Sequence, residues 1–260
     1  MAGPRQLQYR SAHHLGLLTV ESRPIETERL SVGYSKATLT DVSLSIGRGI
    51  TAIVGRNGAG KSSLLLTLAT LLRPKAGTFA FNGTPIEGRA GLRSARRQLG
   101  FVPQHPGFPG TFTVTDMLIY SGQIQGVSDP RDACADALDR FDLGTVAQKK
   151  LSELSGGYRQ RAFLAQATVH DPPVLLLDEP TVGLDIPSRR DFSQVLKRLA
   201  SDRAVVFTSH HVEDLDDLDT EIVVVAGGAA TAVGTTGQLR AANRNVSLEE
   251  ALSRLMDSRP

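Results

Sequence analysis

The amino-acid sequence predicts an α/β domain, and three stretches predict it. Ile50–Val54 is a short apolar run that passes through GRNGAGKSS, Gly55–Ser63, into the helical pattern Leu64, Leu65, Leu68, Leu71 and Leu72. Val174–Leu177 is a second run and ends in Asp178, Glu179 and Pro180; Ala204–Phe207 is a third and ends in Thr208, Ser209 and His210. Short apolar runs without alternation read as strands buried on both faces of a parallel sheet. Polar residues just beyond such strands stand where open α/β sheets place their ligands.

The first stretch carries the most specific chemistry. Gly55, Gly60, Lys61 and Ser62 match the pattern G-x-x-x-x-G-K-S/T between a strand and a helix. Glycines let the backbone bend until several N–H groups point inward, and the helix that follows adds its own unsatisfied N–H groups. Lys61 then reaches terminal phosphates, and the Ser62 hydroxyl is a ligand for magnesium. The rival reading, a glycine-rich turn with an incidental Lys-Ser pair, does not account for the strand-turn-helix setting. Nucleotide binding is the first inference.

Composition bounds the rest. The 260 residues carry 29 basic and 27 acidic side chains, a formal charge of +2, which gives no reason to expect nucleic acid. One cysteine excludes an internal disulfide framework, and with six histidines it makes no zinc cluster. Cys134, in DACADAL, reads as a small helix residue. No run reaches the roughly 18 apolar residues that span a bilayer, and the first 28 residues hold no convincing secretion signal. A soluble protein facing the cytosol is expected.

Residues 1–28 are set aside as an amino-terminal extension of unknown role; the adjacent His13 and His14 lack the spacing of a helical metal pair. RLSVGY and LTDVSLSI alternate as strands do. Tyr34 near their first turn fits two roles equally, stacking on a purine or plugging a sheet edge. Thr78–Phe81 is the next strand, closed by Asn82-Gly83. Arg89–Arg97 reads as a solvated helix face, and Leu99–Val102 as a strand leading to Gln104. The Gln104 amide suits a metal, an attacking water or simply a turn. After the Pro- and Gly-rich bend HPGFPGTF, helices are expected over 114–125 and 131–141, forming a small helical lobe.

In LSELSGGYRQR, Leu151–Arg161, Ser155 is a candidate N-cap, and Ser155, Gly156 and Gly157 open a helix whose free N–H groups suit a phosphate. Two phosphate-binding helix starts with one Lys-bearing loop imply that the second serves a nucleotide held by another copy. Asp178 is placed to coordinate magnesium and Glu179 to deprotonate the attacking water. Asp185, before the helix expected over 187–200, is a cap or a residue that crosses to a partner, two readings left open. His210 is placed to meet the terminal phosphate. The acids from Glu213 to Glu221 read as a solvated helix and turn, 222–226 and 231–233 as a hairpin, and Ser247–Met256 as a last helix with Ser247 and Glu250 as its capping box.

Taken together, GRNGAGKS, Gln104 in FVPQ, LSGGYRQ, VLLLDEP, GLD and His210 in TSHHVED resemble the ATP-binding-cassette ATPase family over about residues 29–239. The resemblance implies an α/β fold of ABC-type P-loop ATPase: a RecA-like core, an antiparallel β-subdomain and a helical signature subdomain at about 104–171, with 240–260 a carboxy-terminal helical tail. It implies that ATP is held by Asn57, Gly58, Ala59, Gly60, Lys61, Ser62 and Ser63, with Tyr34 stacked on adenine. Mg2+ falls to Ser62, Gln104 and Asp178. Glu179 becomes the catalytic base, Gln104 the coupling residue, and His210 the switch, preferred over His211 because Glu213 follows it by three.

Family members work as head-to-tail dimers, so Ser155, Gly156 and Gly157 would contact the ATP of the other copy in a homodimer or a heterodimer of cassettes. A single short cassette of this kind looks like the ATPase subunit serving a separate multi-spanning permease at the cytoplasmic face of a bacterial inner membrane. GFPGTFTVTDML, ATLLRPKAG and EPTVGLD look most like exporters of drug, lipid, polysaccharide or peptide type. An importer ATPase and a soluble assembly cassette are the alternative readings.

Overall fold

The computed structural model describes residues 23–215, 217–243 and 246–257. His13, His14, most of the expected extension, and Asp216 lie outside the described residues. The chain opens with β1 (Ile25–Val32), β2 (Leu39–Val42) and β3 (Ser45–Ile46), then β4 (Gly49–Gly55) and α1 (Lys61–Leu68). A hairpin, β5 (Ala76–Phe81) and β6 (Thr84–Pro85), precedes α2 (Gly88–Arg97) and β7 (Leu99–Val102). The helical lobe holds α3 (Val114–Gln125), α4 (Pro130–Arg140) and α5 (Gly156–Thr168). Then come β8 (Val174–Leu177), α6 (Ile186–Leu199), β9 (Ala204–Ser209), β10 (Glu221–Ala226), β11 (Ala229–Thr235), α7 (Thr236–Ala242) and α8 (Leu248–Asp257).

Two sheets result. The larger has strand order β11-β10-β4-β9-β8-β7; its pairs are parallel except for the β10–β11 hairpin. The smaller is antiparallel, ordered β2-β1-β5-β6, with β3 also pairing β1. Period-2 alternation divides the larger sheet's side chains between two cores. Ile50, Ala52, Val54, Leu175, Leu177, Val205, Phe207, Ile222 and Val224 pack with the helical lobe and α6. Ile53, Val174, Leu176, Ala204, Val206, Val223 and Val225 pack with α1 and the smaller sheet. The runs that looked uniformly apolar in sequence are therefore buried on both sides.

Several boundaries differ from expectation for physical reasons. β1 starts inside the stretch set aside as an extension, because Ile25 and Thr27 pair with Phe81 and Phe79. α1 ends at Leu68, with Thr70 at φ 62, so Leu71 leaves the helical pattern and stands 59% exposed. Ser155 holds the N-cap position of α5 as expected, its carbonyl accepting the first helical bond from Arg159 N–H at 2.9 Å, but its side chain makes no capping bond. The acidic stretch is solvated only in part: Glu213, Asp217, Asp219 and Glu221 are exposed as expected, but in place of an α-helix Val212–Leu215 forms a 3-10 turn that buries Asp214 and Leu215. The carboxy-terminal helix is more than a tail. Leu248, Ala251 and Leu252 are buried, and α8 lies against β10.

Candidate nucleotide site

The larger sheet delivers the phosphate loop. β4 ends at Gly55 between β9 and β10, and α1 begins six residues later, at Lys61. Gly58 and Gly60 sit at φ 78 and 112, in the left-handed region that glycine enters without strain. A Cβ on Gly60 would also come within 2.9 Å of Leu39 Cγ, and one on Gly55 within 2.5 Å of the Val225 carbonyl oxygen. Asn57 and Gly58 are exposed, Ala59, Gly60 and Ser62 half-buried, and Ser63 buried. Lys61 is 4% exposed and folds back over the loop, its Nζ donating to the Gly55 oxygen at 2.9 Å and the Arg56 oxygen at 3.2 Å. Burial holds its pKa below the ordinary lysine value, against the pull of Glu179 and Asp178.

The acid pair closes the other side. Asp178 is 6% exposed, and its Oδ1 accepts from Ser62 Oγ at 3.0 Å and Thr208 Oγ1 at 2.6 Å. Glu179 stands at φ 46, a conformation a non-glycine residue holds only where its surroundings impose it. Its N–H donates to Thr208 Oγ1 at 2.8 Å, its Oε2 accepts from Gln104 Nε2 at 2.9 Å, and its Oε1 lies 3.3 Å from His210 Nδ1. The ends of β4, β7, β8 and β9 thus bring Lys61, Ser62, Gln104, Asp178, Glu179 and His210 together. Thr208 is the residue that sequence reasoning passed over: its one hydroxyl fixes both acids. Its only signal was a place at the end of an apolar run.

Other expected residues stand elsewhere. Tyr34 is 66% exposed, so it does not plug a sheet edge. Its turn is made by Gly33, where a Cβ would meet the Lys36 oxygen at 2.2 Å. Gly156 and Gly157 face the turn before α6 and its first turn: their Cβ positions lie 3.8 Å from Leu184 Cδ2 and 3.3 Å from Ser188 Oγ. Asp185 caps α6, accepting from Ser188 N–H at 2.9 Å, and the Ser188 side chain together with that N–H holds its carboxyl below the usual range. His211 stacks on His210 with ring centroids 3.9 Å apart. Cys134 is a buried residue of α4, as expected, and burial raises its thiol pKa.

A glycine-rich phosphate loop facing a buried aspartate and a strained glutamate at neighbouring strand ends defines the P-loop nucleotide-binding class. The chain belongs to the ABC transporter family, whose description "ABC transporter" matches residues 39–182. It is 34% identical over 227 residues to the daunorubicin/doxorubicin resistance ATP-binding protein DrrA of Streptomyces peucetius, covering 85% of this chain and 68% of that one. It is 35% identical over 220 residues to the Nod factor export ATP-binding protein I of Paraburkholderia xenovorans strain LB400, covering 83% and 72%. A solved ATP-binding subunit of an ABC transporter superposes with a TM-score of 0.76 at 25% identity, covering 89% of this chain and 99% of that one. The chain is therefore an ATP-binding, ATP-hydrolysing subunit of a transporter. Among the described residues no helix is long and apolar enough to cross a membrane. Its relatives are ATP-binding subunits of transporters, which implies a membrane permease partner.

Proposed function

We propose that this chain hydrolyses ATP between two cassettes and that closure of the pair drives an exporter permease at the cytoplasmic face of a bacterial membrane. The observation that carries the hydrolytic part is the Glu179 carboxylate. One oxygen is held by Gln104 and the other by His210, above a buried Asp178. Glu179 so placed takes a proton from the attacking water, and His210 orients that water and the terminal phosphate. Lys61 exchanges its loop carbonyls for phosphate oxygens. Tyr34, exposed in the turn between β1 and β2, offers its ring to adenine.

Mg2+ fits the residues present. Asp178, Ser62 and the Gln104 amide form an all-oxygen donor set, and the buried Asp178 carboxylate is bonded by two neutral hydroxyls. When bound, the ion neutralises charge on the phosphate oxygens. Ser155, Gly156 and Gly157 reach the ATP of the facing copy, where the uncapped start of α5 offers free N–H groups.

Contact with the permease falls to the bend after Gln104. Phe108, Phe112 and Tyr120 pack edge to face with centroids 5.4 to 6.1 Å apart, and Tyr120 and Ile124 of α3 are 47% and 65% exposed. Exposed aromatic and aliphatic side chains this close together suit a partner surface. Export is preferred over import because the relatives above are named for drug resistance and for Nod factor export.

Glu179→Gln tests the hydrolytic assignment. The substitution is expected to retain ATP binding, lower kcat at least about a hundredfold, and yield an ATP-dependent dimer on size-exclusion chromatography with light scattering. Turnover at the unsubstituted rate would remove Glu179 from the base role. Isolation of the native complex in mild detergent tests the transport assignment: a multi-spanning partner that changes ATPase turnover is expected, and soluble partners alone would favour an assembly cassette.

A further inference from the structure

We infer that Asp214 is a positioning residue that ties the turn 181–185 to the loop carrying His210, and so links this chain's own acid site to the helix start it presents to a facing copy. The inference rests on the shared-site reading above. A carboxylate is costly to bury without partners, and the Asp214 side chain is 1% exposed. Its Oδ2 accepts from Thr181 Oγ1 at 2.8 Å and from Ser209 Oγ at 2.5 Å. Among the described residues its Oδ1 finds no hydrogen-bond donor, and it faces Arg189 Nη1 at 4.0 Å.

The partners show what the carboxylate holds. Thr181 follows Glu179 by two residues, and Ser209 immediately precedes His210. Ser209 Oγ also accepts from His211 N–H at 2.9 Å, which sets the path of the chain through both histidines. Arg189 donates through Nε to the Leu184 oxygen at 3.2 Å, so the turn is fastened at its far end by the same cluster. Leu184 and Ser188 are the neighbours of Gly156 and Gly157. A contiguous set of contacts thus runs from His210 and Glu179 through Asp214 and the turn to the start of α5. None of these residues touches the phosphate loop in the bonds described above, so their loss should alter turnover without altering how one chain grips nucleotide.

The test compares Asp214→Ala, Thr181→Val, Thr181→Ser and the Asp214→Ala/Thr181→Val double variant of the full chain. Steady-state ATPase, titration with a fluorescent ATP analogue and thermal unfolding are measured on each. Asp214→Ala and Thr181→Val are expected to lower kcat about tenfold or more, with nucleotide affinity unchanged. The double variant should lose no more than Asp214→Ala alone, because both remove one connection, and Thr181→Ser, which keeps the hydroxyl, should restore turnover. A purely structural role would not produce that split or that rescue. Unchanged kcat in Thr181→Val, additive losses, or a loss matched by weaker nucleotide binding would overturn the inference. If Asp214→Ala does not fold, the Thr181→Val and Thr181→Ser pair decides. Should Glu179→Gln fail to form an ATP-dependent dimer, the shared-site reading falls by itself; if it dimerises and Thr181→Val turns over normally, only this inference falls.

Discussion

Thr208 and His170 show how single polar atoms in this chain are made to choose one state. The Thr208 hydroxyl donates to Asp178 and accepts from the backbone of Glu179, so the order of the acid pair depends on a residue that carries no charge. His170 lies at the opposite end of β7 and β8: its Nε2 is 3.1 Å from the Leu99 oxygen, and its buried Nδ1 has no hydrogen-bond partner among the described residues. Protonation would place a second N–H where no acceptor waits. Burial accordingly lowers its pKa from the ordinary value of about 6.5. A base whose folded pKa lies below its unfolded pKa binds fewer protons when folded, so stability is full above about pH 6.5 and falls as pH drops toward the folded pKa. Replacing His170 with Gln is expected to flatten the fall in melting temperature below pH 6.5; an unchanged pH profile would show that other groups cause it. Residues of this kind were poorly legible in sequence. Lys61, Ser62, Asp178, Glu179 and His210 follow strands or sit in a spaced motif, whereas Thr208 and Asp214 act through bonds that only tertiary packing creates.

Elements were legible where one periodicity ran unbroken to a clear stop. β7, α3 and β8 have the expected bounds, since Pro103 follows the first, Thr113 and Gly126 flank the second, and Asp178 and Glu179 end the third. α3 has a complete capping box: Thr113 Oγ1 accepts from Asp116 N–H at 3.0 Å, and Asp116 Oδ2 accepts from Thr113 N–H at 3.1 Å. The Thr113 hydroxyl, which donates to Asp116 Oδ2 at 2.7 Å, and then the Thr113 N–H hold the Asp116 carboxyl below the usual range. Thr113→Ala should cost about 1 kcal/mol, read as a fall of roughly 2–4 °C in melting temperature for a chain of this size. No change would mean that the Thr113–Lys150 bridge and the buried Val114, Met117 and Leu118 set the start of α3 without the cap. Short elements were less legible. The Val212–Leu215 turn looked like solvated acid because charge density was read in place of register, and α7, opened by its own capping box of Thr235 and Gln238, is too short to show an apolar stripe.

At the scale of the whole molecule, the larger sheet separates two helix starts that both suit phosphate. α1 opens after β4 beside the acid pair, while α5 opens against Leu184, just before α6, and Ser188 in the first turn of α6. Their separate neighbours fit a site completed between copies, and that arrangement was readable in sequence only as an inequality: two glycine-rich starts, one lysine. Gly157→Asp tests it. The new side chain would start 3.3 Å from Ser188 Oγ, close enough to require a small shift of that hydroxyl, and would set a carboxylate where the facing copy's phosphates must approach. Like charges at short range in a partly dry interface repel strongly. The single chain should bind a fluorescent ATP analogue as before, because Lys61 and its loop are untouched. In a Glu179→Gln background the ATP-dependent dimer should disappear, and in the otherwise unsubstituted chain ATPase turnover should fall at least about tenfold. Loss of nucleotide binding in the monomer would instead place Gly157 beside its own phosphate loop, and a dimer that survives the carboxylate would remove this helix start from the shared site.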